Sequence, residues 1–454
     1  MPDRTPPGRT AVALEDPALD PVPLTQRLVR YDTTNPPGDE AACVGFVERL
    51  AAEAGLETRV IAADPRRPNL IVRLPGRGEA PPLLLHAHVD VVPAEGQRWT
   101  HPPFDGALRD GHVWGRGSLD MKGGLAMMLT AMLRLRAAGT PPAGDVLLAV
   151  VPDEEAGSAV GAGHLVREHP GLFAGVRNAV GEDGGADLDL GGAVRPHPVV
   201  VAEKRACWLR VTLRGQGGHS SRTAPPGSAV RQLTRLLRAI EPGGLEPVVT
   251  PAVDRMLREL SAVLGEPLAG AFARLRTDPG DEEALAALPD ADAQYLRSVL
   301  RHSVNATVIE GGTAPNVLPE EITVTLDGRA LPGGFGAAGF VEELSARTGT
   351  ELSAEVLVEG EAMPGPEFGA FYDDLVAVLR AADPDGVPVP MMTTASTDAR
   401  LFRSLGIACY GWLPLLLPAG GGYRGLLHRP DERVPAEALR FGAACFTDLL
   451  RGRR

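Results

Sequence analysis

Residues 81–93, PPLLLHAHVDVVP, contain an apolar run that ends in histidine and aspartate residues. Residues 145–157, DVLLAVVPDEEAG, repeat this pattern, and here the apolar run ends in three acids. Such runs predict strands that are buried on both faces, as in sheets covered by helices. Helical patterns near 40–54 and 124–138 alternate with these strands. The sequence therefore predicts a layered α/β fold with its functional residues at the ends of strands.

The pattern changes near residue 199. Alternating strands and two helical patterns follow in the order strand–helix–strand–strand–helix–strand (208–215, 228–240, 303–312, 320–333, 336–347 and 352–360). This order predicts a small α+β domain with a four-stranded antiparallel, ferredoxin-like sheet. Residues 251–301 are interpreted as helices inserted between its halves. The predicted division is a loose tail, an outer domain made from both ends of the chain and an inserted domain (1–15; 16–200 with 361–454; 201–360).

The composition limits the classes of partner. The chain has 58 acidic and 45 basic residues and a formal net charge of −13, whereas nucleic acids and anionic membranes attract basic surfaces. The four cysteines have no CxxC spacing, so neither a disulfide framework nor a cysteine zinc site is predicted. No segment has the apolar core of a signal peptide or the length of a membrane span. We therefore expect a cytoplasmic protein.

Histidine and acidic residues recur in short segments that suit a site for two metal ions. His88 and Asp90 are two residues apart at a strand end, so they point to the same face. Asp120 follows a glycine-rich turn and precedes a helical pattern. Zinc binds histidine nitrogen and carboxylate oxygen when thiolates are absent. A pair of metals also needs a bridging carboxylate and a nearby base, and Asp120 is the candidate for the bridge.

Acids follow two further apolar runs. Glu154 and Glu155 are adjacent and point in different directions, so one can bind a metal while the other accepts a proton. Only one of Glu182 and Asp183 is expected to be a ligand, and the residues alone leave that choice open. His428 is isolated in its segment, and it becomes a candidate ligand only in combination with the other four segments.

Each segment also has an interpretation without a catalytic role. Asp120 could be a helix N-cap, and the acids at 153–155 could form a surface turn. A glycosidase pair at Glu154 and Glu155 fits poorly, because such carboxylates flank the bond from separate elements at least about 5 Å apart. The histidines would also have no role in that reading.

The segments HVDVVP, GSLDMKGG, DEEAG, EDGG and LHRPDERVP together resemble those of one zinc-dependent hydrolase family. The family includes aminoacylase, carboxypeptidase G, carboxypeptidase S, acetylornithine deacetylase and succinyl-diaminopimelate desuccinylase. The resemblance covers roughly residues 21–450. It implies a catalytic domain with a mixed central sheet flanked by helices, and an inserted lid and dimerisation domain. The implied ligands of two Zn²⁺ ions, which Co²⁺ or Mn²⁺ can replace, are His88, Asp120, Glu155, Asp183 and His428.

The resemblance also implies roles for other residues. Glu154 is implied as the general base and Asp90 as the residue that orients His88, and the Asp120–Met121 peptide bond is expected to be cis. His219 in GQGGHSS resembles the histidine that reaches into the active site of the partner subunit, which implies a homodimer.

Two more residues and the reaction itself follow from the same resemblance. Asn316 in TAPNVLP and Arg329 in LDGRALPG match positions that contact substrate, and Arg329 could hold a carboxylate bidentately. The implied reaction is hydrolysis of an amide or peptide bond next to a free carboxylate, in an N-acyl amino acid or a dipeptide, by hydroxide held between two zinc ions. The alternative is a non-catalytic relative that binds amino-acid derivatives, although every metal position and the base are present.

Overall fold

The computed structural model describes residues 19–183, 188, 190–241, 244–362, 368–418 and 422–452. The predicted tail at 1–15 lies outside these residues. The helices in the described residues are α1 (Pro21–Val29), α2 (Ala41–Glu53), α3 (Lys122–Ala138), α4 (Ala162–Glu168), α5 (Ala229–Ile240), α6 (Pro251–Val263), α7 (Leu268–Thr277), α8 (Glu282–Ala286), α9 (Asp290–Val299), α10 (Ala337–Thr348), α11 (Ala370–Ala382), α12 (Ala399–Arg403) and α13 (Ala436–Gly452).

The strands in the described residues form four sheets. Their bounds are β1 (Glu57–Ile61), β2 (Asn69–Leu74), β3 (Leu83–His88), β4 (Leu108–Arg109), β5 (His112–Trp114), β6 (Val146–Val151), β7 (Asn178–Gly181), β8 (Arg195–Glu203), β9 (Arg205–Arg214), β10 (Gly218–His219), β11 (Ser303–Gly311), β12 (Val317–Leu318), β13 (Glu321–Ala330), β14 (Ser353–Glu359), β15 (Gly386–Thr393), β16 (Ala408–Gly411) and β17 (Arg433–Pro435).

The central sheet has eight strands in the order β1-β2-β6-β3-β7-β16-β8-β15. Strand β3 runs parallel to both β6 and β7, and β2 and β8 run antiparallel to their neighbours β6 and β16. Every residue of β3 and β6 is buried, because helices cover both faces of the sheet at this point. The predicted α/β fold with a mixed central sheet is therefore confirmed, and strands from both ends of the chain build it.

A second sheet lies within the chain segment that was predicted as the inserted domain. It is a four-stranded antiparallel sheet, as predicted, and its strands lie in the order β11-β13-β9-β14. Alternate residues of β13 are buried, and α5 and α10 pack against that face. This sheet has its own apolar core, which includes Leu209, Val324 and Phe340.

The helices α6 to α9 pack in a way that the sequence did not predict. Their apolar residues, among them Met256 and Phe272, belong to the large core of the central sheet and not to the core of the four-stranded sheet. The Tyr295 hydroxyl donates a hydrogen bond of 2.8 Å to the Met392 carbonyl oxygen of β15. An amphipathic pattern reveals which side of a helix is buried, but it does not reveal which core that side joins.

A buried lysine lies where the chain passes from the central sheet to the second sheet. Lys204 separates β8 from β9, and its side chain is 1 % exposed. Its ammonium group donates to the backbone oxygens of Ser298 and Arg301 at 2.7 and 2.8 Å, and to Ser303 Oγ at 2.7 Å. This residue thereby ties the junction to the end of α9.

In the described part of the chain, no helix combines the length and the apolar composition that crossing a bilayer requires.

Candidate active site

The candidate site lies where three parallel strands end. Strand β3 ends at His88, β6 is followed by the acids at 153–155, and β7 is followed by Glu182. Because parallel strands end at the same edge of a sheet, these side chains converge. Asp120 approaches the same edge from the turn before α3. Its peptide bond to Met121 is cis, as expected.

Asp120 lies between two groups of potential metal ligands. His88 Nε2 is 3.0 Å from Asp120 Oδ1, and His428 Nε2 is 3.2 Å from Asp120 Oδ2. Glu155 Oε1 lies 3.2 Å from His428 Nε2, and Glu182 Oε2 lies 3.2 Å from His88 Nε2. The two oxygens of one carboxylate thus face two different histidines, each of which has an acid of its own. This is the arrangement that a bridging carboxylate requires.

Two triplets of these side chains are compact enough to hold an ion. They are His88 with Asp120 and Glu155, and His88 with Glu154 and Glu182, and the ligand atoms within each triplet lie within 4.8 Å of one another. Glu154 therefore faces the same space as the potential ligands. Its position is compatible with a base that acts on a water molecule held there.

One predicted ligand does not fit this geometry. Glu182 Oε2 lies 3.2 Å from His88 Nε2 and belongs to one of the two triplets, whereas Asp183 belongs to neither. Gly181 packs against the ring of His86, so simple alternation would turn residue 183 to the same side of the sheet. However, β7 ends at Gly181, and Asp183 has a φ of 77°, far from an extended conformation. Alternation stops at the strand end, and the acid in the group is Glu182.

The charges in this cluster perturb one another strongly. Burial by itself would lower the pKa of His88, but the carboxylates of Glu182, Asp120 and Asp90 raise it well above the usual value. Hydrogen bonds to Asp120 and Glu155 raise the pKa of His428 to about 10. Both shifts show a strongly negative environment, which favours any bound cation.

The acids of the cluster respond in opposite directions. Burial raises the pKa of Glu182 to about 7, with the charge of His88 acting against this and that of Asp120 adding to it. Burial and then the charge of Glu182 raise the pKa of Glu154 well above its usual range. Burial would raise the pKa of Asp120 too, but the hydrogen bonds to His428 and His88 lower it. Buried acids with opposed pKa shifts are typical of active sites.

Asp90 is connected to both sides of the cluster. The backbone oxygen of Asp90 lies 3.0 Å from His88 Nδ1, and because it can only accept, Nδ1 carries the proton and Nε2 faces the cluster. The carboxylate of Asp90 accepts hydrogen bonds of 3.1 Å from the backbone N–H groups of Glu154 and Glu155. Asp90 therefore orients His88 through its backbone oxygen and through its carboxylate, whose Oδ1 lies 3.5 Å from His88 Nδ1, and the same carboxylate holds the acidic turn.

One further acid near the site was missed. Asp398 is 1 % exposed and lies between β15 and α12. Its negative charge raises the pKa of both Glu154 and Glu182. The signal in the sequence was weaker than that for Asp153, because residues 394–397 separate Asp398 from the end of the apolar strand β15. His86, in contrast, packs against Phe402 with 5.1 Å between ring centroids, and burial lowers its pKa to about 3.

The three residues predicted in the inserted domain lie in neither triplet of the described residues. His219 is exposed on β10, which pairs with β12 directly after Asn316. The backbone N–H of Ser220 donates to the Asn316 oxygen at 3.1 Å, so these two loops are adjacent. Arg329 lies on β13 and forms an ion pair with Asp327, with an Nε–Oδ1 distance of 2.7 Å.

The comparisons with known proteins agree with this geometry. Residues 84–452 match the model of Peptidase family M20/M25/M40. The chain is 27% identical over 445 residues to aminoacylase-1 of Mus musculus, with 94% of each chain covered. This match extends over nearly the full length of both proteins.

Two solved structures share the fold. An M20 family metallo-carboxypeptidase from Sulfolobus solfataricus has a TM-score of 0.67 at 17% identity, with 95% of this chain and 98% of that chain covered. A dinuclear metal-binding M20 peptidase from Bacillus subtilis has a TM-score of 0.61 at 15% identity, with 95% and 96% covered. The family resemblance of the five segments is thereby confirmed: the chain belongs to peptidase family M20/M25/M40 and is a hydrolase of that family.

Proposed function

We propose that this hydrolase cleaves an amide or peptide bond next to a free carboxylate, in an N-acyl amino acid or a dipeptide, with two divalent metal ions as cofactors. The observation that carries the proposal is the position of Asp120, whose two oxygens face His88 and His428 at 3.0 and 3.2 Å. A bridging carboxylate between two histidine–acid pairs is what a two-metal site needs.

The donor set fits divalent metal ions. Imidazole nitrogen and carboxylate oxygen are preferred ligands of Zn²⁺, and they accept Co²⁺ and Mn²⁺ as well. Glu182 Oε1 is buried without a hydrogen-bond partner among the described residues, which is costly unless a cation lies beside it. We assign His88, Asp120 and Glu182 to one ion, and His428, Asp120 and Glu155 to the other, with Zn²⁺ as the expected metal.

Glu154 is the proposed general base. Bound metal ions would polarise the scissile carbonyl and lower the pKa of water in the site. Glu154 accepts the proton of that water and later donates it to the leaving nitrogen. Its pKa is raised by burial and by the charge of Glu182, which suits an acid that must both take up and release a proton.

The inserted domain supplies the remaining proposed roles. His219 is exposed and lies in neither ligand triplet of the described residues, so its ring is available to another subunit. It would stabilise the developing oxyanion in the site of the partner subunit. Arg329, oriented by Asp327, would bind the free carboxylate of the substrate, with Asn316 as a second contact. The role of His219 requires a homodimer. The four cysteines are buried thiols, which fits the proposed cytoplasmic location.

The direct test is hydrolysis of a panel of N-acetyl amino acids and dipeptides by the purified protein. Turnover should release a free amino acid, stop when a chelator removes the metal and return when Zn²⁺ is added back. Turnover that persists after complete metal removal would overturn the proposed chemistry. A zinc-loaded protein that binds panel compounds but cleaves none of them would favour a binding role.

A further inference from the structure

A network of charged side chains lies behind the acidic turn. Asp153 immediately precedes Glu154, and although it is not glycine it has a left-handed backbone with a φ of 73°. Its Oδ2 accepts a hydrogen bond of 3.1 Å from the backbone N–H of Val160, and its backbone oxygen accepts one of 2.6 Å from Ser158. The side chain of Asp153 therefore closes the turn that carries Glu154 and Glu155.

Arg67 holds Asp153 from behind. Arg67 Nη1 donates to Asp153 Oδ1 at 2.9 Å, while its Nε and Nη2 bind the two oxygens of Glu40 at 3.0 and 2.8 Å. The side chains of Arg67 and Glu40 are 11% and 0% exposed. The planar guanidinium thus bridges two carboxylates, a geometry that lysine cannot reproduce.

The neighbouring loop leaves room for this cation. A Cβ at Gly38 would overlap the guanidinium of Arg67, and Gly38 also has a φ of 78°. Only glycine meets both conditions without strain.

The network continues to the reactive residues. Asn35 Nδ2 donates to Asp153 Oδ1 at 3.3 Å and to Asp90 Oδ2 at 2.8 Å. The carboxylate of Asp90 accepts from the backbone N–H groups of Glu154 and Glu155. A continuous path of hydrogen bonds therefore joins Arg67 to the main chain of the proposed base and of a proposed metal ligand.

We propose that Arg67, clamped by Glu40, is a positioning residue for the hydrolytic reaction. It acts through Asp153, which it holds in a left-handed conformation, and thereby sets the direction in which Glu154 and Glu155 enter the site. This inference rests on the proposed roles of Glu154 and Glu155. Residues that orient metal ligands and bases in this way typically change activity or metal affinity by about 10–100-fold when they are replaced.

The test compares Arg67→Gln with a control pair elsewhere in the molecule. Arg195 forms a similar two-bond ion pair with Asp383, and neither residue contacts the candidate site. We expect Arg67→Gln to lower kcat by about 10–100-fold with KM within about twofold, and to weaken the binding of Zn²⁺ to the metal-free protein in calorimetric titration by about 10-fold. Arg195→Gln should leave both quantities unchanged. Arg67→Lys, which keeps the charge but loses the fork, should recover only part of the loss.

A double-mutant cycle separates positioning from general stability. If Arg67 acts through Asp153, then Arg67→Gln combined with Asp153→Asn should lower kcat no further than the more severe single change. Additive losses, or losses equal to those of Arg195→Gln, would overturn the inference. Circular dichroism and thermal unfolding identify any variant that has failed to fold, and for such a variant the milder Arg67→Lys decides. If the wild-type protein cleaves nothing, the proposed function fails, and the Zn²⁺ titrations still decide whether Arg67 positions the ligand turn.

Discussion

The proposed chemistry depends most directly on one residue, Glu154, whose carboxyl group is the proposed base. Replacing it with glutamine keeps the shape of the side chain but removes proton transfer, which typically contributes 10²–10⁴-fold to the rate. We expect kcat to fall by about that factor while the bound metal content stays at the wild-type level. Steady-state kinetics and metal analysis of Glu154→Gln measure both quantities. Glu168→Gln, an exposed acid on α4, is the control. Loss of metal from Glu154→Gln would make this residue a ligand instead of the base.

The two neighbouring acids after β7 can be distinguished by substitution. We expect Glu182→Gln to weaken Zn²⁺ binding by at least about 10-fold, because Glu182 Oε2 lies 3.2 Å from His88 Nε2. Asp183→Asn is the matched control and should bind Zn²⁺ like the wild-type protein. Calorimetric titration of the two metal-free variants gives the comparison. The opposite result would restore the ligand that the sequence predicted.

At this scale, the sequence indicated most of the side chains that the structure brings together, but the residues alone left the choice between Glu182 and Asp183 open. His88, Asp120, Glu154 and Glu155 each lie at or near the end of an element that the sequence marks clearly. His428 joins them in the structure, but its own segment gave no such signal, and it was predicted only in combination with the other segments. A choice between adjacent residues depends on the φ and ψ angles of one turn, and these are set by tertiary contacts. The Arg67 network was not predicted either, because its members are far apart in the chain.

At the scale of elements, the packing of α13 against α3 depends on one small residue. A Cβ at Gly442 of α13 would overlap the sulfur of Met127 and approach the Pro414 carbonyl oxygen. We expect Gly442→Ala to lower the free energy of unfolding by about 1–3 kcal/mol, the usual cost of overpacking. Urea denaturation measures the change.

The control for this variant is a glycine on another helix. A Cβ at Gly45 of α2 would meet only the end of Arg49, at 3.5 Å. Gly45→Ala should therefore raise stability by about 0.4–1 kcal/mol, because alanine loses less backbone entropy on folding. If Gly45→Ala also destabilised the protein, the loss in Gly442→Ala could not be assigned to the contact with Met127.

The elements themselves could largely be predicted. The helix predicted near 124–138 corresponds to α3, Lys122–Ala138. The strand predicted from the apolar run in 145–157 corresponds to β6, in which every residue is buried. Such long periodic segments reflect local burial, which sequence records directly. The helices α6 to α9 were predicted as helices, but their packing on the central sheet was not predicted. An apolar face shows that one side of a helix is buried, but it does not show which other element covers that side.

At the scale of the whole molecule, the sequence predicted that both ends of the chain would build one domain, with a second domain inserted between them. The strands β1 to β3 and the strands β15 and β16 do share the central sheet. The substrate and the homodimer stay predictions, because they depend on surfaces of other molecules. Because buried acids lie at the edge of this sheet, the stability of the whole protein should depend on pH.

Glu182 should make the metal-free protein less stable as the pH rises. Burial raises its pKa from the usual 4.5 to about 7, with His88 acting against this and Asp120 adding to it. Since the folded-state pKa is the higher one, the stabilising contribution is fully present below about pH 4.5 and is lost as the pH rises through about 7. Other buried groups titrate as well, so the comparison must isolate this residue. The melting temperature of Glu182→Gln minus that of the wild-type protein should therefore be larger at pH 8 than at pH 5.

Zinc should reduce that difference. The ionised carboxylate of Glu182 destabilises the metal-free fold because it is buried among other acids, but the same group becomes a ligand when a cation is present. With Zn²⁺ in excess at pH 8, the wild-type protein should be stabilised by the metal more than Glu182→Gln, because only a binding-competent native state gains from the ligand. Thermal unfolding of both proteins, with chelator and with Zn²⁺, gives the four values needed. If Glu182→Gln gained as much from Zn²⁺ as the wild-type protein, the buried charge would be a feature of the fold alone, and the ligand set would have to be built around another acid.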